Sequence, residues 1–505
     1  MSSETDIRRQ RRMAGLLFAA VFLIYLSLSP GAIGGMGYTM EEIVATQNLF
    51  HSPRAFFSGA EEIRYPRNGP VALLVHAPFV LSAEMLGLDM RWIDRAVSVE
   101  PALLSALLIT LIFVWSRRLT GSAGWAALLA LGTAFATMIW PYAYIGLETT
   151  QSVFLLAAGW LALEEPSTRS WPRTLTFAIS ATFALSAKST GTFLVPAVLF
   201  LISRYFARAD SWWGRPGHLP KLLATLTIVG GTFLVNSHYR SLFWVNFGGS
   251  ANFVKLWIAH GPISIALNVV SFLFSANKGL VVYVPLALIA LYVLPRVAVT
   301  HRWLAVFAIL VLGGLAGGFS LLRNWSDETW GPRYLHSAIA PLILCVAASI
   351  GAAPYRRRFL LPVATAILLG AYPAFLGVFF YYGALHAAQR ATSQPTLEAL
   401  QFDPVWNHLR FNDRLLEIWL ASDEPPPRRT WWTPEHKWFF IPPKDAPPWK
   451  SVDLAAYAIP QSAMIRTLEA EHRSPIDRRC LPFYLGSALA GAICLLAFVV
   501  VIRRS

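Results

Sequence analysis

Apolar runs of about 20 residues recur from one end of this 505-residue chain to the other, and each is long enough to cross a bilayer as a helix. Hydrophobic residues make up 55% of the chain and charged residues only 14%, well below the share of about a quarter that soluble domains carry. The sequence therefore predicts an all-α polytopic membrane protein.

Twelve of the apolar runs are predicted to span the membrane. They cover residues 13–31, 100–117, 123–140, 148–164, 174–188, 190–206, 220–237, 279–296, 303–322, 335–353, 359–382 and 481–502. A further run, 70–87, is predicted to lie at the outer membrane interface, because counting it as a span would put Arg117 and Arg118 outside. With 70–87 left out, the clusters of Arg and Lys between spans, and both termini, fall on the cytoplasmic side.

The net charge of +14 admits two explanations. It would suit a nucleic-acid partner, but basic cytoplasmic loops account for it in a membrane protein, so no nucleic acid is expected. The first apolar run follows four arginines and lacks a small-residue cleavage site, which predicts a retained first helix. Cys345, Cys480 and Cys494 have no metal-type spacing, so neither a disulfide framework nor a zinc site is predicted.

The chain divides into three predicted regions. Residues 1–382 form the transmembrane region, with 32–99 as its first outer loop and with interfacial helices on the outer face. Residues 383–480 form a small extracytoplasmic segment that includes a patch rich in Pro and Trp. Residues 481–505 form the last transmembrane helix and a cytoplasmic tail.

Acidic side chains are predicted at two places on the outer face. Glu41 and Glu42 lie at the beginning of a predicted short helix just after the first span, where acids are also favoured simply by the helix dipole. Glu148 lies at the outer mouth of another span and could equally cap it. A carboxylate at such a place can act as a general base.

Basic side chains are predicted on the same face, against the charge bias of the chain. Lys278 follows Ser275 in the stretch FSANKGL, and Arg333 follows a Gly-Pro pair at a helix start. Cations are disfavoured at a helix N-terminus, so such a pair indicates an anion, and the planar fork of arginine suits phosphate. The alternative is an arginine paired with Asp327 or Glu328.

Carboxylates and cations at one membrane face suggest an enzyme in which a carboxylate acts as general base and the cations bind a departing phosphate. A flippase or transporter is the alternative, and a non-catalytic scaffold is a third. Transporter sites, however, lie near the midplane, and few ionisable residues are predicted there. Lys188 is the clearest of these, near a predicted helix end from which it could snorkel.

Five stretches resemble, in order, the motifs of the GT-C fold glycosyltransferases that use polyprenyl-phosphate sugars. They are YTMEEIVATQNL, RYPRNGPVALLVHAPF, LFSANKGLVVYVP, WGPRYL and VWNHLRF. The resemblance covers about residues 10 to 420, and WGPRYL is its most specific part. The chain departs from the family pattern at Glu41, where Asp is usual, and at Ser275-Ala276, where Ser-Pro is usual.

The resemblance implies an inverting transfer of a sugar from a polyprenyl-phosphate donor to an acceptor hydroxyl on a glycan, lipid or protein at the outer leaflet of the cytoplasmic membrane. It assigns the general base to Glu41, next to Glu42, and the donor phosphate to Arg333 with Lys278. Weaker site assignments are Glu148, Tyr65, Trp330, Tyr334 and Ser275. Some relatives bind a divalent metal near the acidic pair, but the sequence contains no ligand set that specifies one.

Overall fold

A computed structural model describes residues 4–28, 37–58, 68–88, 90–143, 147–164, 170–207, 218–246, 261–321, 330–380, 385, 407–421 and 476–503. The regular elements in these ranges are helices. Eight of them are long and apolar enough to cross a membrane: Asp6–Leu28, Arg95–Thr120, Ser189–Ala207, Leu219–Ser241, Arg302–Ser320, Arg333–Ala352, Arg356–Phe379 and Leu485–Arg503. This is the architecture of an all-α polytopic membrane protein, as the sequence predicts.

The helices of the first half are α1 (Glu4–Leu28), α2 (Gly37–His51), α3 (Pro53–Ser58), α4 (Pro70–Met85), α5 (Met90–Thr120), α6 (Ala123–Phe135), α7 (Ile139–Tyr142), α8 (Leu147–Leu163), α9 (Trp171–Ser186), α10 (Val195–Ala207), α11 (His218–Leu226) and α12 (Thr232–Asn246). Those of the second half are α13 (Gly261–Phe274), α14 (Leu280–Tyr283), α15 (Leu286–Thr300), α16 (Arg302–Ser320), α17 (His336–Ala352), α18 (Leu360–Phe379), α19 (His408–Ala421) and α20 (Ile476–Arg503). Short 3-10 turns precede α10, α17 and α18, and a π-turn joins α11 to α12.

Helix α17 is the centre of the bundle. Every residue from His336 to Ile350 is buried, as expected for a helix that is apolar on all sides. It packs against α5, α8, α15 and α16. Because α17 follows directly on the stretch that contains Arg333, the most buried of the described spans positions that side chain.

Basic residues gather at one end of the bundle. Arg9 Nη2 donates a hydrogen bond to the carbonyl of Val501, so the beginning of α1 lies beside the end of α20. Arg117, near the end of α5, interacts electrostatically with Arg9. Arg296 on α15 has its Nη2 3.3 Å from the carbonyl oxygen of Ala352, the last residue of α17. We call this the basic end.

The remaining contacts extend the basic end across the bundle. The end of α17 meets the end of α5, since a Cβ on Gly351 would lie 2.0 Å from the carbonyl oxygen of Leu119. Arg118 forms an ion pair over 3.2 Å with Glu164, just after α8. These neighbours agree with the predicted clustering of basic residues on one face. That this face is cytoplasmic stays a prediction.

Two predicted spans are interrupted in the structure. The run 123–140 is not one helix, because α6 ends at Phe135 and α7 begins at Ile139. Pro141 lacks the N–H that a continuous helix would need there. The run 279–296 is likewise divided, with a break at Val284 and Pro285 between α14 and α15. Both breaks lie at the end opposite the basic end, close to the site described below.

The outer loop and the tail are described in part. Helix α2 begins at Gly37, four residues before Glu41, and α4 covers most of the run 70–87 as a 16-residue helix that packs between α2 and α5. Of the predicted segment 383–480, the structure describes residues 385 and 407, α19 and the first residues of α20, and α19 packs against α18. Whether α4 lies in the membrane interface stays a prediction.

Candidate functional site

Two cations converge on one carboxylate at the end opposite the basic end. Glu148 lies in the first turn of α8, Lys188 follows α9, and Arg333 begins the turn that leads into α17. Lys188 Nζ donates a hydrogen bond to Glu148 Oε1, and Arg333 Nε lies 3.3 Å from the same oxygen. Their side chains are at most 12% exposed. We call these three residues the cation cluster.

The cation cluster carries more positive than negative charge. With Glu148 ionised, Lys188 and Arg333 leave one formal positive charge in excess among the three side chains. Poorly solvated surroundings strengthen the attraction between such cations and any anion beside them. The two acids that the sequence offered as partners of Arg333, Asp327 and Glu328, lie outside the described residues. Arg333 forms an ion pair with Glu148.

Tyr334 forms an aromatic wall beside the cation cluster. Its ring centroid lies 5.6 Å from Lys188 Nζ and 5.2 Å from the guanidinium carbon of Arg333. Phe319 stacks on this ring with a centroid distance of 3.9 Å, which fixes the plane of the tyrosine. Since a tyrosine face attracts cations, this wall helps to hold both cations in place.

Trp330 ties the WGPRYL stretch to its surroundings. The tryptophan is buried, and its carbonyl oxygen accepts a hydrogen bond of 2.7 Å from Tyr142 OH. The rings of Tyr283 and His408 form T-shaped contacts with its ring, at centroid distances of 5.5 and 5.7 Å. Gly331 has a φ of 59°, and a Cβ there would lie 2.9 Å from Tyr283, so the turn before Arg333 requires a glycine.

Ser275 and Lys278 lie in the turn between α13 and α14. Ser275 Oγ accepts a hydrogen bond of 3.1 Å from the backbone N–H of Lys278, so the serine has a structural role as a turn cap. The carbonyl oxygen of Asn277 accepts a hydrogen bond of 2.9 Å from Tyr283 OH. Because Tyr283 also contacts Trp330, this turn and the buried Lys278 lie at the same end of the bundle as the cation cluster.

A second buried cluster lies where α2, α4 and α5 meet. His76 on α4 contacts a carboxylate with each ring nitrogen: Nδ1 lies 2.5 Å from Glu100 Oε2, and Nε2 lies 3.2 Å from Glu42 Oε2. All three residues are at most 3% exposed. We call them the acid cluster.

The acid cluster holds His76 in its charged form. Burial opposes this charge, but the carboxylates of Glu100 and Glu42 outweigh burial and raise the pKa of His76 from 6.5 to about 10. With both carboxylates ionised, the cluster carries one formal negative charge in excess. The two clusters therefore differ in the sign of their charge.

Asn68 connects the two clusters. Its Nδ2 donates a hydrogen bond of 2.9 Å to Glu42 Oε1, and its Oδ1 accepts one of 3.2 Å from the backbone N–H of Ser189, the residue after Lys188. Asn236 on α12 donates a hydrogen bond of 3.1 Å to the carbonyl oxygen of Asn68. A single side chain therefore contacts Glu42 and the segment that carries Lys188.

Gly69 permits the close approach of Asn236. Its φ is 89°, and a Cβ there would lie 2.4 Å from Asn236 Oδ1. That oxygen accepts a hydrogen bond of 3.0 Å from the backbone N–H of Val71, and the amide nitrogen also donates to the carbonyl of Ser186. Asn236 thus fastens the beginning of α4 to the end of α9.

A layer of polar side chains lies next to the cation cluster. Ser152, one turn beyond Glu148 on α8, has its Oγ 2.8 Å from His336 Nδ1 and 3.0 Å from Ser337 Oγ on α17. The same Oγ donates to the carbonyl of Glu148 over 2.7 Å. These bonds join α8 to α17 and fix the relative positions of Glu148 and the Arg333 turn.

The structure brings most of the predicted site residues to one end of the bundle. Glu42, Glu148, Lys278, Trp330, Arg333, Tyr334 and Ser275 lie there. Glu148 and Arg333 are in direct contact, whereas Glu42 contacts His76 and Asn68. Glu41 lies in α2, but its side chain is outside the described part of the structure, as is all of Tyr65.

Four residues of the site have roles that the sequence did not predict: His76, Glu100, Asn68 and Asn236. A signal was present for two of them, because His76 and Glu100 are ionisable residues inside apolar helices. Lys188 carried the same signal, but it binds Glu148 and does not snorkel. The two asparagines carry no signal of their own, since their importance depends on contacts with residues that are distant in the chain.

No known protein family matches the chain, and no protein of curated function is detectably similar to it in sequence. Within the described ranges, no three or more His, Cys, Asp or Glu side chains are arranged to hold a metal ion. The site therefore has to be interpreted from its own residues.

Proposed function

We propose that this protein is an inverting membrane glycosyltransferase, which moves a sugar from a polyprenyl-phosphate donor to an acceptor hydroxyl at the outer leaflet of the cytoplasmic membrane. The observation that carries the proposal is the pair of buried clusters of opposite charge, joined by Asn68 at one end of the bundle. Such a transfer needs a base for the acceptor hydroxyl and cations for the departing phosphate. The cation cluster offers the cations, and the acid cluster anchors α2, the helix that contains the proposed base.

In this proposal the cation cluster binds the donor phosphate. Lys188 and Arg333 supply positive charge, and the guanidinium adds a planar fork that matches phosphate oxygens. Glu148 holds both cations in position before the donor arrives. Lys278, buried in the neighbouring turn, is the further cation proposed for the phosphate.

Glu41 is the proposed general base. It takes the proton of the acceptor hydroxyl while the acceptor oxygen bonds to the anomeric carbon, and the bond from that carbon to the phosphate oxygen breaks on the opposite face. Polyprenyl phosphate leaves with the bonding electrons, and the configuration of the sugar inverts. Glu42 accepts hydrogen bonds on both of its oxygens, from Asn68 and His76, and therefore anchors α2, the helix that contains Glu41.

The position of buried charge supports an enzyme over a flippase or transporter. Among the described residues, the Asp, Glu, Lys and Arg residues that are buried are Glu42, Glu100, Glu148, Lys188 and Lys278. All five lie at the end opposite the basic end, and Glu100 is roughly 25 Å along α5 from Arg117. A transport path would need such groups near the midplane and beyond it.

The orientation of the site in the membrane belongs to the proposal as well. If the basic end faces the cytoplasm, as the positive-inside tendency expects, both termini are cytoplasmic and the two clusters face the outside. The acceptor, whether a glycan, a lipid or a protein, would then be reached from the outer face of the cytoplasmic membrane.

The decisive experiment is a transfer assay with the full-length protein in lipid nanodiscs. A panel of radiolabelled polyprenyl-phosphate sugars is offered together with cell-envelope extract as acceptor, and label is followed into products that no longer partition with the polyprenyl lipid. We expect transfer from at least one donor by the parent and little by the Arg333→Lys variant. Movement of intact lipid-linked sugar across proteoliposomes, without transfer by any donor, would establish the transporter instead.

A further inference from the structure

Helix α12 turns one polar face toward the site. The helix belongs to the candidate span Leu219–Ser241, of which only a small part is buried inside the protein. Asn236 and Arg240 are four residues apart and therefore lie on the same face of α12. Since Asn236 is bonded to the end of α9 and to the beginning of α4, this face points into the protein and not toward lipid.

Arg240, which is half-buried, contacts the segment that carries Lys188. Its Nη1 donates a hydrogen bond of 3.2 Å to the carbonyl oxygen of Ser189. The backbone N–H of the same serine donates one of 3.2 Å to Asn68 Oδ1. Both backbone polar groups of the residue that follows Lys188 are therefore held by side chains from distant parts of the chain.

The backbone at Lys188 is an extended link between α9 and the 3-10 turn that begins at Ser189. Its φ is −142° and its ψ is 150°, so no helical hydrogen bonding fixes this residue on its own. Its carbonyl oxygen accepts a hydrogen bond of 3.0 Å from the N–H of Gly191. A Cβ on Gly191 would collide with the carbonyl oxygen of Leu185, so the turn packs directly on the end of α9.

Lys188 is thus held at both ends. Its Nζ donates to Glu148 Oε1, and the backbone that follows it is bonded to Arg240 and Asn68. The stem between these ends is a flexible four-carbon chain. Fixing both ends removes conformational freedom before a ligand arrives, which strengthens the binding of that ligand.

We propose that Arg240 is a positioning residue for the donor phosphate, which it influences through Ser189 and Lys188. This inference rests on the proposed use of a polyprenyl-phosphate donor. Arg240 keeps the backbone after Lys188 in place, so that the ammonium group meets the phosphate without a search among rotamers. When Arg240 is removed, the ion pair of Lys188 with Glu148 remains, but the backbone end of the lysine is held less firmly.

The test is a double-mutant cycle between Arg240 and Lys188. The Kd of sugar-free polyprenyl phosphate is measured for the purified full-length protein in lipid nanodiscs, and the donor KM for transfer is measured beside it. We expect Arg240→Gln to raise both constants about fivefold to tenfold. In a Lys188→Met background the same change should alter the Kd by less than about twofold, because the group through which Arg240 acts is gone. Arg240→Lys should recover part of the affinity, since lysine can still donate to Ser189.

Arg296→Gln is the matched control. Arg296 also donates to a backbone carbonyl, that of Ala352, but it does so at the basic end. Its replacement should leave the Kd of polyprenyl phosphate within about twofold of the parent value.

The role of Arg240 is wrong if Arg240→Gln binds polyprenyl phosphate as tightly as this control, or if it weakens binding equally with and without Lys188. It is also wrong if the parent does not bind polyprenyl phosphate. Binding that follows the expected cycle, without sugar transfer from any donor, would refute the transferase and leave the role of Arg240 in place. If Arg240→Gln does not fold, the cycle with Arg240→Lys decides.

Discussion

Asn68 donates a hydrogen bond over 2.9 Å to Glu42, while the oxygen of the same amide accepts one from the backbone of Ser189. One side chain thus presents a donor to the acid cluster and an acceptor to the segment that carries Lys188. Aspartate would keep the acceptor and lose the donor, so the two contacts can be separated by a change of nearly equal size.

We expect Asn68→Asp to reduce kcat for sugar transfer by about tenfold to a hundredfold and to leave the donor KM within about threefold. The change removes the donor to Glu42 and places a second carboxylate against it. The lost hydrogen bond alone costs about 1–3 kcal/mol, and the like charges add to that cost. The contact with Ser189, and with it the position of Lys188, is retained. Initial rates over a range of donor concentrations give both constants.

A suitable control for Asn68→Asp is Asn412→Asp on α19. Asn412 is also buried and donates to a backbone carbonyl, that of Leu376, at 3.2 Å. This variant places a buried carboxylate at a position whose hydrogen bond is to Leu376 and not to a member of either cluster, and it should retain the parent kcat if it folds. A rise in donor KM for Asn68→Asp without a change in kcat would contradict the proposed connection to the acid cluster.

His76 should contribute strongly to stability, because it neutralises part of the charge of two buried carboxylates. Replacing it by Gln leaves Glu42 and Glu100 without their cation, and breaking a buried ion pair costs about 3–5 kcal/mol. The free energy of unfolding in detergent, followed by circular dichroism, measures the loss. The double variant His76→Gln/Glu100→Gln should recover part of it, and a double variant less stable than the single one would show that Glu100 is not the partner.

The pH dependence of stability should carry the signature of the same histidine. Its pKa in the folded protein is raised to about 10 from 6.5, so its contribution is complete below pH 6.5 and is lost as the pH rises through 10. We therefore expect the melting temperature of the parent to fall more steeply between pH 7 and 10 than that of His76→Gln. Parallel curves for the two proteins would mean that His76 is not charged in the folded state.

Much of the architecture could be predicted because span length and positive charge are local properties of the sequence. The helical class and the common end of basic residues such as Arg117 and Arg296 follow from them. The breaks within two predicted spans could not be predicted in this way. The apolar pattern continues through Pro141 and Pro285, although the backbone hydrogen bonds of the helix are interrupted there.

The site was predictable only in part, for a related reason. Arg333 and Glu148 stand out because each is a charge at the end of an apolar run, yet their contact depends on helix packing. The acid cluster depends on packing to a greater degree, since His76 and Glu100 are separated by 24 residues and belong to different helices. Charge pattern indicated which residues to examine, and the fold determined their partners.

Glu41→Gln should lower the transfer rate by about two to four orders of magnitude, the usual contribution of a positioned base, because glutamine keeps the shape and removes the basicity. Glu42→Gln should act mainly on stability, since Glu42 is buried against His76 and Asn68. Transfer rate and unfolding are measured for both variants. An active Glu41→Gln with an inactive, folded Glu42→Gln would move the base to Glu42, and two active variants would refute the role of this pair.

Arg333→Lys distinguishes a phosphate clamp from a structural ion pair. Lysine keeps the charge near Glu148, which lies 3.3 Å from Arg333 Nε, but it loses the fork that matches two phosphate oxygens. We expect a donor KM about tenfold higher and a lower kcat, because a good charged hydrogen bond to the phosphate contributes about 1.5–3 kcal/mol. Expression and melting temperature should be unchanged.

The matched control is Arg414→Lys on α19, where an exposed arginine pairs with Glu417. An exposed pair contributes about 0–1 kcal/mol, so this control should behave like the parent. If Arg333→Lys also transfers sugar at the parent rate and donor affinity, the arginine serves only to bind Glu148, and the phosphate has to be held elsewhere.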